Sequence, residues 1–278
     1  MTMERPIPKA PGFLPSALRV FDLSLGEMLW SRRTIFMGLV VGLPVLVSAI
    51  VRVLFEMGAP MRINNQGGGP TIFGLMIWAF FVRFSVPVLG VFYGTSLIAD
   101  EVDDKTITYL FSRPIPRSAV VFGKYLAYLI CTEFVVLPAV ALVWLLIVPI
   151  GGSLGANFVD LIKDLALLAV GLATYGALFA FIGAALKRPL VFGLLFVFGW
   201  ETFAMALPGY LKHFTVAYYI QGLVPHAMPS DTALSLIQSI FREAPTLPES
   251  IVTIAIVIAT TLFLAGRITT NREYVLEQ

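Results

Sequence analysis

The chain has 278 residues, of which 58% are hydrophobic and 13% charged, where soluble domains carry roughly a quarter charged. Its mean hydropathy is +0.87, and so little polar surface cannot coat a water-soluble enzyme of this size. A formal net charge of +2, one cysteine and two histidines give no basis for nucleic-acid binding, a disulfide framework or a histidine-rich metal centre. What remains is an all-α polytopic membrane protein.

Residues 1–14 include Pro6, Pro8 and Pro11, with no apolar core leading to a cleavage site. They read as an extended leader rather than a signal peptide. From Ser16, a plausible N-cap after Pro15, the apolar residues Leu18, Phe21, Leu25, Met28 and Leu29 recur at helical spacing. Trp30, Arg32 and Arg33 follow as aromatic and cationic anchors. Residues 1–33 are thus expected to be a leader and an amphipathic helix in the membrane interface.

Six apolar stretches follow, at about 34–55, 71–98, 118–148, 159–185, 190–210 and 250–268. Each is long enough for a hydrocarbon core of ~30 Å, which takes about 20 helical residues. The second and third contain Pro87 and Pro138, which predict tilt or kinks. Together they define a transmembrane domain over 34–268, with a cytoplasmic loop at 99–117, an external cap at 211–249 and a tail at 269–278.

Lysine and arginine set the orientation. Arg5, Lys9, Arg19, Arg32, Arg33, Lys105, Arg113, Arg117, Lys124, Lys187, Arg188, Arg267 and Arg272 fall on one side. Arg52, Arg62, Lys163, Lys212 and Arg242 fall on the other, and Arg83 lies within a span. The bias predicts that both termini are cytoplasmic.

The loop between spans two and three carries the most information. Asp100, Glu101, Asp103 and Asp104 suit a helix N-terminus, where the backbone dipole favours negative charge. Ile107, Leu110 and Phe111 then form a short apolar face, and Pro114 and Pro116 end the helix. A helix this short needs a partner surface to hold it. The alternative is a solvated connector.

The run from Ile98 to Lys124 contains the acidic pair, Lys105-Thr106, Tyr109-Leu110-Phe111-Ser112-Arg113-Pro114, Arg117 and Gly123-Lys124. It resembles the signature loop of ABC-2 type permeases, with Lys105 where glycine is common. The arrangement of an interface helix, six spans and a cytoplasmic C-terminus is similar to theirs along the whole chain. The resemblance implies a permease subunit, without a nucleotide site, in a dimer bound to two ABC ATPase subunits. ATP and magnesium would belong to the ATPase. It further implies that Asp100, Glu101, Asp103, Asp104, Ile107, Tyr109, Leu110, Phe111 and Arg113 couple the two. The residues agree on one point: a P-loop needs G-x-x-x-x-G-K-[ST], but here Ser118 stands at the first position and Tyr125 follows Gly123-Lys124.

Other motifs have blander readings. Gly151-Gly152-Ser153-Leu154-Gly155 fits a nucleophile elbow, but lacks the strand-turn-helix setting and reads as a loop. Gly38-x-x-x-Gly42 and Gly90-x-x-x-Gly94 permit close helix approach, inside the bundle or between two copies. Arg83, Glu133 and Glu201 are the ionisable residues within spans, each requiring a partner or water. Arg83 and Glu133 both lie about fifteen residues deep, roughly 22 Å along straight helices, so an ion pair between them is expected, with a polar transport path as the alternative. Residues 211–249 include Tyr218, Tyr219 and an amphipathic run of Leu234, Ile237, Ile240 and Phe241. They predict a folded cap that gates the exit or meets an extracytoplasmic partner. The competing functional reading is an ion-coupled secondary transporter that carries protons on Glu133 and Glu201; a membrane-embedded enzyme lacks a convincing catalytic set.

Overall fold

The computed structural model describes residues 12–58, 68–103, 115–207, 209–224 and 245–271. Among them there is no strand. Helix α1 spans Phe13–Leu29 and α2 spans Arg32–Glu56. The second span, α3, runs over Gly69–Glu101 and is followed by α4, Arg117–Ile147, and α5, Phe158–Ala185. Then come α6, Pro189–Ala206, the short α7, Val216–Gln221, and α8, Leu247–Asn271. Six of these, α2 to α6 and α8, are long and apolar enough to cross a membrane.

The expected spans are all present, with shifted ends. The fifth stops at Ala206 rather than 210, because Leu207 turns to extended backbone and Gly209 takes φ 113°. The sixth is longer than expected, starting at Leu247. Large apolar side chains on α2, α6 and α8 point outwards, among them Ile35, Leu39, Leu46, Leu195, Phe198, Ile256 and Phe263. A soluble protein would bury such a surface; lipid covers it here.

Helices α4 and α5 form the centre of the bundle, and glycine lets them approach. A Cβ on Gly176 would lie 2.0 Å from Tyr128 Cε1. The Tyr128 hydroxyl donates to the Leu172 carbonyl at 3.0 Å, and Tyr125 donates to Ala173 at 2.9 Å. Small residues and buried hydroxyls are what hold helices together where lipid weakens the hydrophobic drive. The Gly90 and Gly94 pair packs internally, against Tyr175 and Phe179 of α5. Gly38 and Gly42 have open space in front of them instead.

Helix α1 corrects two expectations. It begins at Phe13 after Gly12, so Ser16 is not its cap but a buried residue within its first turns. The face turned to the bundle is Ser16, Ala17, Val20 and Ser24, and it meets α4 where a Cβ on Gly123 would lie 2.5 Å from the Ala17 carbonyl. Phe13, Leu14, Leu18 and Leu23 are exposed, as an interface helix requires. Its small residues pack closely on the protein with Leu25 and Met28 beside them, while Leu14, Leu18 and Leu23 are left for lipid.

The ends of the bundle differ in charge. Arg33, Asp100, Glu101, Arg117, Lys187, Arg188 and Arg267 lie at one end, which we call the basic end; there Arg117 donates to the Thr270 carbonyl at 3.2 Å, tying α4 to α8. At the opposite end the Gly69 amide donates to the Ile150 carbonyl, so the start of α3 rests on the α4–α5 turn. Gly151, with φ 78°, lies in that turn, and Ser153 follows it in irregular backbone, its carbonyl accepting from the Asn157 side chain.

Candidate functional site

Helix α3 keeps its helical backbone as far as Asp103. Asp100 and Glu101 therefore continue the helix that begins at Gly69, rather than opening a separate one as the dipole argument expected. So far from the N-terminus of the helix their negative charge gains nothing from its dipole, and side chains match it instead. Arg33, at the start of α2, pairs with Asp100 at 2.5 Å. Lys124, on α4, pairs with Glu101. The second pair is the better shielded, with side-chain exposures of 9% for Lys124 and 21% for Glu101.

These pairs explain the spacing in the loop signature. Its leading acids and its distant Gly-Lys close on one another: Lys124 holds Glu101, while Gly123, one residue earlier, lets α1 cross α4 closely. The Asp100 and Glu101 positions of α3 are thereby tied to α2 and α4, and through α4 to α1. Sequence reasoning missed Arg33 and Lys124 as partners of the acids, although Gly123-Lys124 was visible in the signature. Asp104, Ile107, Tyr109, Leu110, Phe111 and Arg113 lie outside the described residues, as does the side chain of Asp103.

The intramembrane polar groups assort differently from the expected pair. No ion pair or hydrogen bond joins Arg83 to Glu133. Glu133, half-buried on α4, acts electrostatically on Tyr125 and Tyr128. Arg83 acts on Tyr175 and Glu201. Equal depth along straight helices does not fix which way a side chain points. The backbone of α3 is π-helical over Ile77–Ser85 and Gly90–Gly94, and each wider turn rotates the helix face. Arg83 lies within the first of these segments. Glu201 lies in another, Leu195–Glu201 of α6.

Glu201 has an elaborate shell. Oε2 accepts the Tyr175 hydroxyl at 2.6 Å, and Oε1 accepts the amides of Val216 at 3.0 Å and Ala217 at 3.2 Å. Those amides open α7, where Thr215 also accepts the Tyr218 amide at 3.3 Å. A buried carboxyl of α6 thus supplies the acceptors for the first turn of a helix in the segment between α6 and α8. Local spacing does not reveal these partners, because all three donors come from residues distant in sequence.

The described part of the segment between α6 and α8 is folded. Tyr210–Phe214 forms a 3₁₀ turn, and α7 buries Val216, Tyr218 and Ile220. Gly222 abuts Pro245 and Ser250 at the start of α8. Burial and, after it, the charge of Glu249 push the Tyr219 phenol up from its ordinary pKa, against an opposing hydrogen bond from Thr253. The run Leu234, Ile237, Ile240 and Phe241 lies outside the described residues.

Six apolar helices, a surface helix and a loop rooted in ion pairs define a multi-pass membrane protein. The profile of the family described as ABC-2 family transporter protein matches residues 23–268. The chain belongs to that family, whose members are the membrane permeases of ABC transporters. No curated protein matches the sequence.

Proposed function

We propose that the chain is the permease subunit of an ABC-2 type transporter that exports a substrate across, or extracts it from, the bacterial inner membrane. The energy comes from ATP hydrolysed by a separate ABC ATPase subunit, which holds ATP and magnesium. The observation that carries this reading is the double clamp, Asp100 to Arg33 and Glu101 to Lys124, at the root of the signature loop. A segment that receives force from a partner must be anchored rigidly to the helices it moves. This root is tied to α2 and α4, with α1 docked alongside.

In this reading the basic end faces the cytoplasm, in keeping with the positive-inside bias. Asp100, Glu101, Asp103, Asp104, Ile107, Tyr109, Leu110, Phe111 and Arg113 form the ATPase-facing segment. The permease acts as a homodimer, and the open Gly38 and Gly42 on α2 favour a close contact with the second copy. The outer segment around α7 covers the exit and is available to an extracytoplasmic partner.

The test is co-expression of the tagged permease with an ABC ATPase, followed by purification and measurement of ATP hydrolysis. Ile107→Ala, Leu110→Ala and Phe111→Ala together are expected to release the ATPase, or to separate its hydrolysis from transport, while the permease stays folded. Tyr218→Ala is the control and should leave ATPase binding intact. Normal assembly and normal coupled hydrolysis in the triple variant would overturn the assignment of the loop. Transport driven by pH without ATP would instead favour proton carriage on Glu133 and Glu201.

A further inference from the structure

Between α2, α3 and α6, the basic end opens into a cavity of about 760 Å³. Its charged lining consists of Arg33, Asp100, Lys187 and Arg188. Arg33 is engaged by Asp100, whereas Lys187 and Arg188 are exposed and make no ion pair among the described residues. The Thr95 and Ser96 hydroxyls donate back into their own helix, to Val91 and Tyr93. The donors left for a ligand are therefore cationic.

The remainder of the cavity is apolar. Phe36 and Phe92, with ring centroids 4.5 Å apart, meet Leu190 and Val191 there. Helix α6 starts at Pro189, and no side chain caps its N-terminus. The amides of its first turn add partial positive charge to the two cations beside them. This is a compact cationic rim beside an apolar slot, at one end of the spans.

We propose that this cavity binds an anionic phospholipid of the adjacent leaflet, with the phosphate at Lys187, Arg188 and the α6 N-terminus and an acyl chain against Phe92, Leu190 and Val191. A free phosphate would use the rim and leave the slot empty. A neutral phospholipid would use the slot and leave two cations unmatched. Only an anionic amphiphile matches both parts. The proposal needs the membrane topology and not the ATPase partner, so its failure leaves the permease assignment standing, and the reverse also holds.

The experiment uses the full-length protein in detergent, titrated with phosphatidylglycerol or phosphatidylcholine and observed by native mass spectrometry. Wild type is expected to hold one tightly bound phosphatidylglycerol in preference to phosphatidylcholine. A cation near a membrane surface is worth about fivefold in affinity for anionic lipid, so Lys187→Gln with Arg188→Gln should weaken that binding roughly thirtyfold. Lys187→Arg should retain it. Val191→Trp, which narrows the slot without changing charge, should also lose it, and this serves as the second variant if the glutamine pair misfolds. Arg52→Gln at the opposite end should have no effect.

Equal retention of both lipids, or unchanged phosphatidylglycerol binding in both the glutamine pair and Val191→Trp, would overturn the proposal. Full displacement of the lipid by millimolar inorganic phosphate would also overturn it, as the site would then recognise phosphate alone. So would loss of a co-purified ATPase from the glutamine pair with lipid binding unchanged, which would make the cavity a protein-docking surface.

Discussion

A lysine nearly buried in an apolar bundle is costly unless its charge is matched, and removing one partner of a buried pair costs more than the pair itself contributes. Lys124→Met should therefore destabilise the protein by about 2–3 kcal/mol, below the fully buried range because Glu101 is 21% exposed. Adding Glu101→Gln should recover part of that loss, and a double-mutant cycle on thermal unfolding in detergent reads the coupling. Strict additivity would show that the pair does not hold the loop root. Glu201 supports a second expectation. Glu201→Ala removes the acceptors of two amides and a phenol, and an unmet buried donor costs about 1–3 kcal/mol. Hydrogen exchange at Val216 and Ala217 should rise at least about fivefold, with α4 and α5 unaffected; unchanged protection of α7 would contradict the capping role. At this scale the sequence showed which residues matter better than whom they meet. Asp100, Glu101 and Lys124 stood out in the signature, and Arg83, Glu133 and Glu201 stood out as charges in apolar runs. Partners set by tertiary packing, such as Arg33 for Asp100, leave no trace in local spacing. The Arg83 to Glu133 pair failed because depth was counted and direction was not.

Glycines decide how closely the helices pack, and their positions separate those that must stay small from those that need not. Gly176→Ala puts a methyl group into the Tyr128 ring, and Gly123→Ala drives one into the Ala17 carbonyl. Overpacking of this kind costs about 1–3 kcal/mol. Gly38→Ala faces open space and should leave the isolated subunit unperturbed. Thermal unfolding of the three variants in detergent tests the ranking. Gly38→Ala as the most damaging for the isolated subunit would contradict the packing described. Under the dimer proposal, the same Gly38→Ala should weaken self-association, measured by sedimentation or single-molecule bleaching. Span positions were legible to within a few residues, because a run of about 20 apolar residues has almost no competing interpretation. The π-helical segments of α3 and α6 were not, since the pattern was read at 3.6 residues per turn. Nor was the packed face of α1, where Ala17, Val20 and Ser24 are buried against the bundle while Leu14, Leu18 and Leu23 are exposed. Hydrophobicity finds the protein-facing side in water, but an interface helix has lipid as a second apolar neighbour.

At the scale of the whole molecule, both described ends of the chain converge on the basic end: α1 lies on α4 there, and Arg117 of α4 reaches the end of α8. A push on the loop beyond α3 would reach α2 through Asp100 and Arg33, and α4 through Glu101 and Lys124. Motion of α6 would reach the segment that joins it to α8 through Glu201 and α7. The fold and family were legible because composition, span count and the signature agree, whereas substrate and direction depend on surfaces that obey no short pattern. The most direct test of the coupling account is a photo-crosslinking amino acid placed at Leu110 of the full chain in native membranes, with the captured protein identified by mass spectrometry. The account predicts capture of an ABC ATPase carrying a P-loop, with a yield that changes when ATP is depleted. Crosslinking to lipid alone, together with substrate movement that follows a pH gradient and ignores ATP, would contradict it.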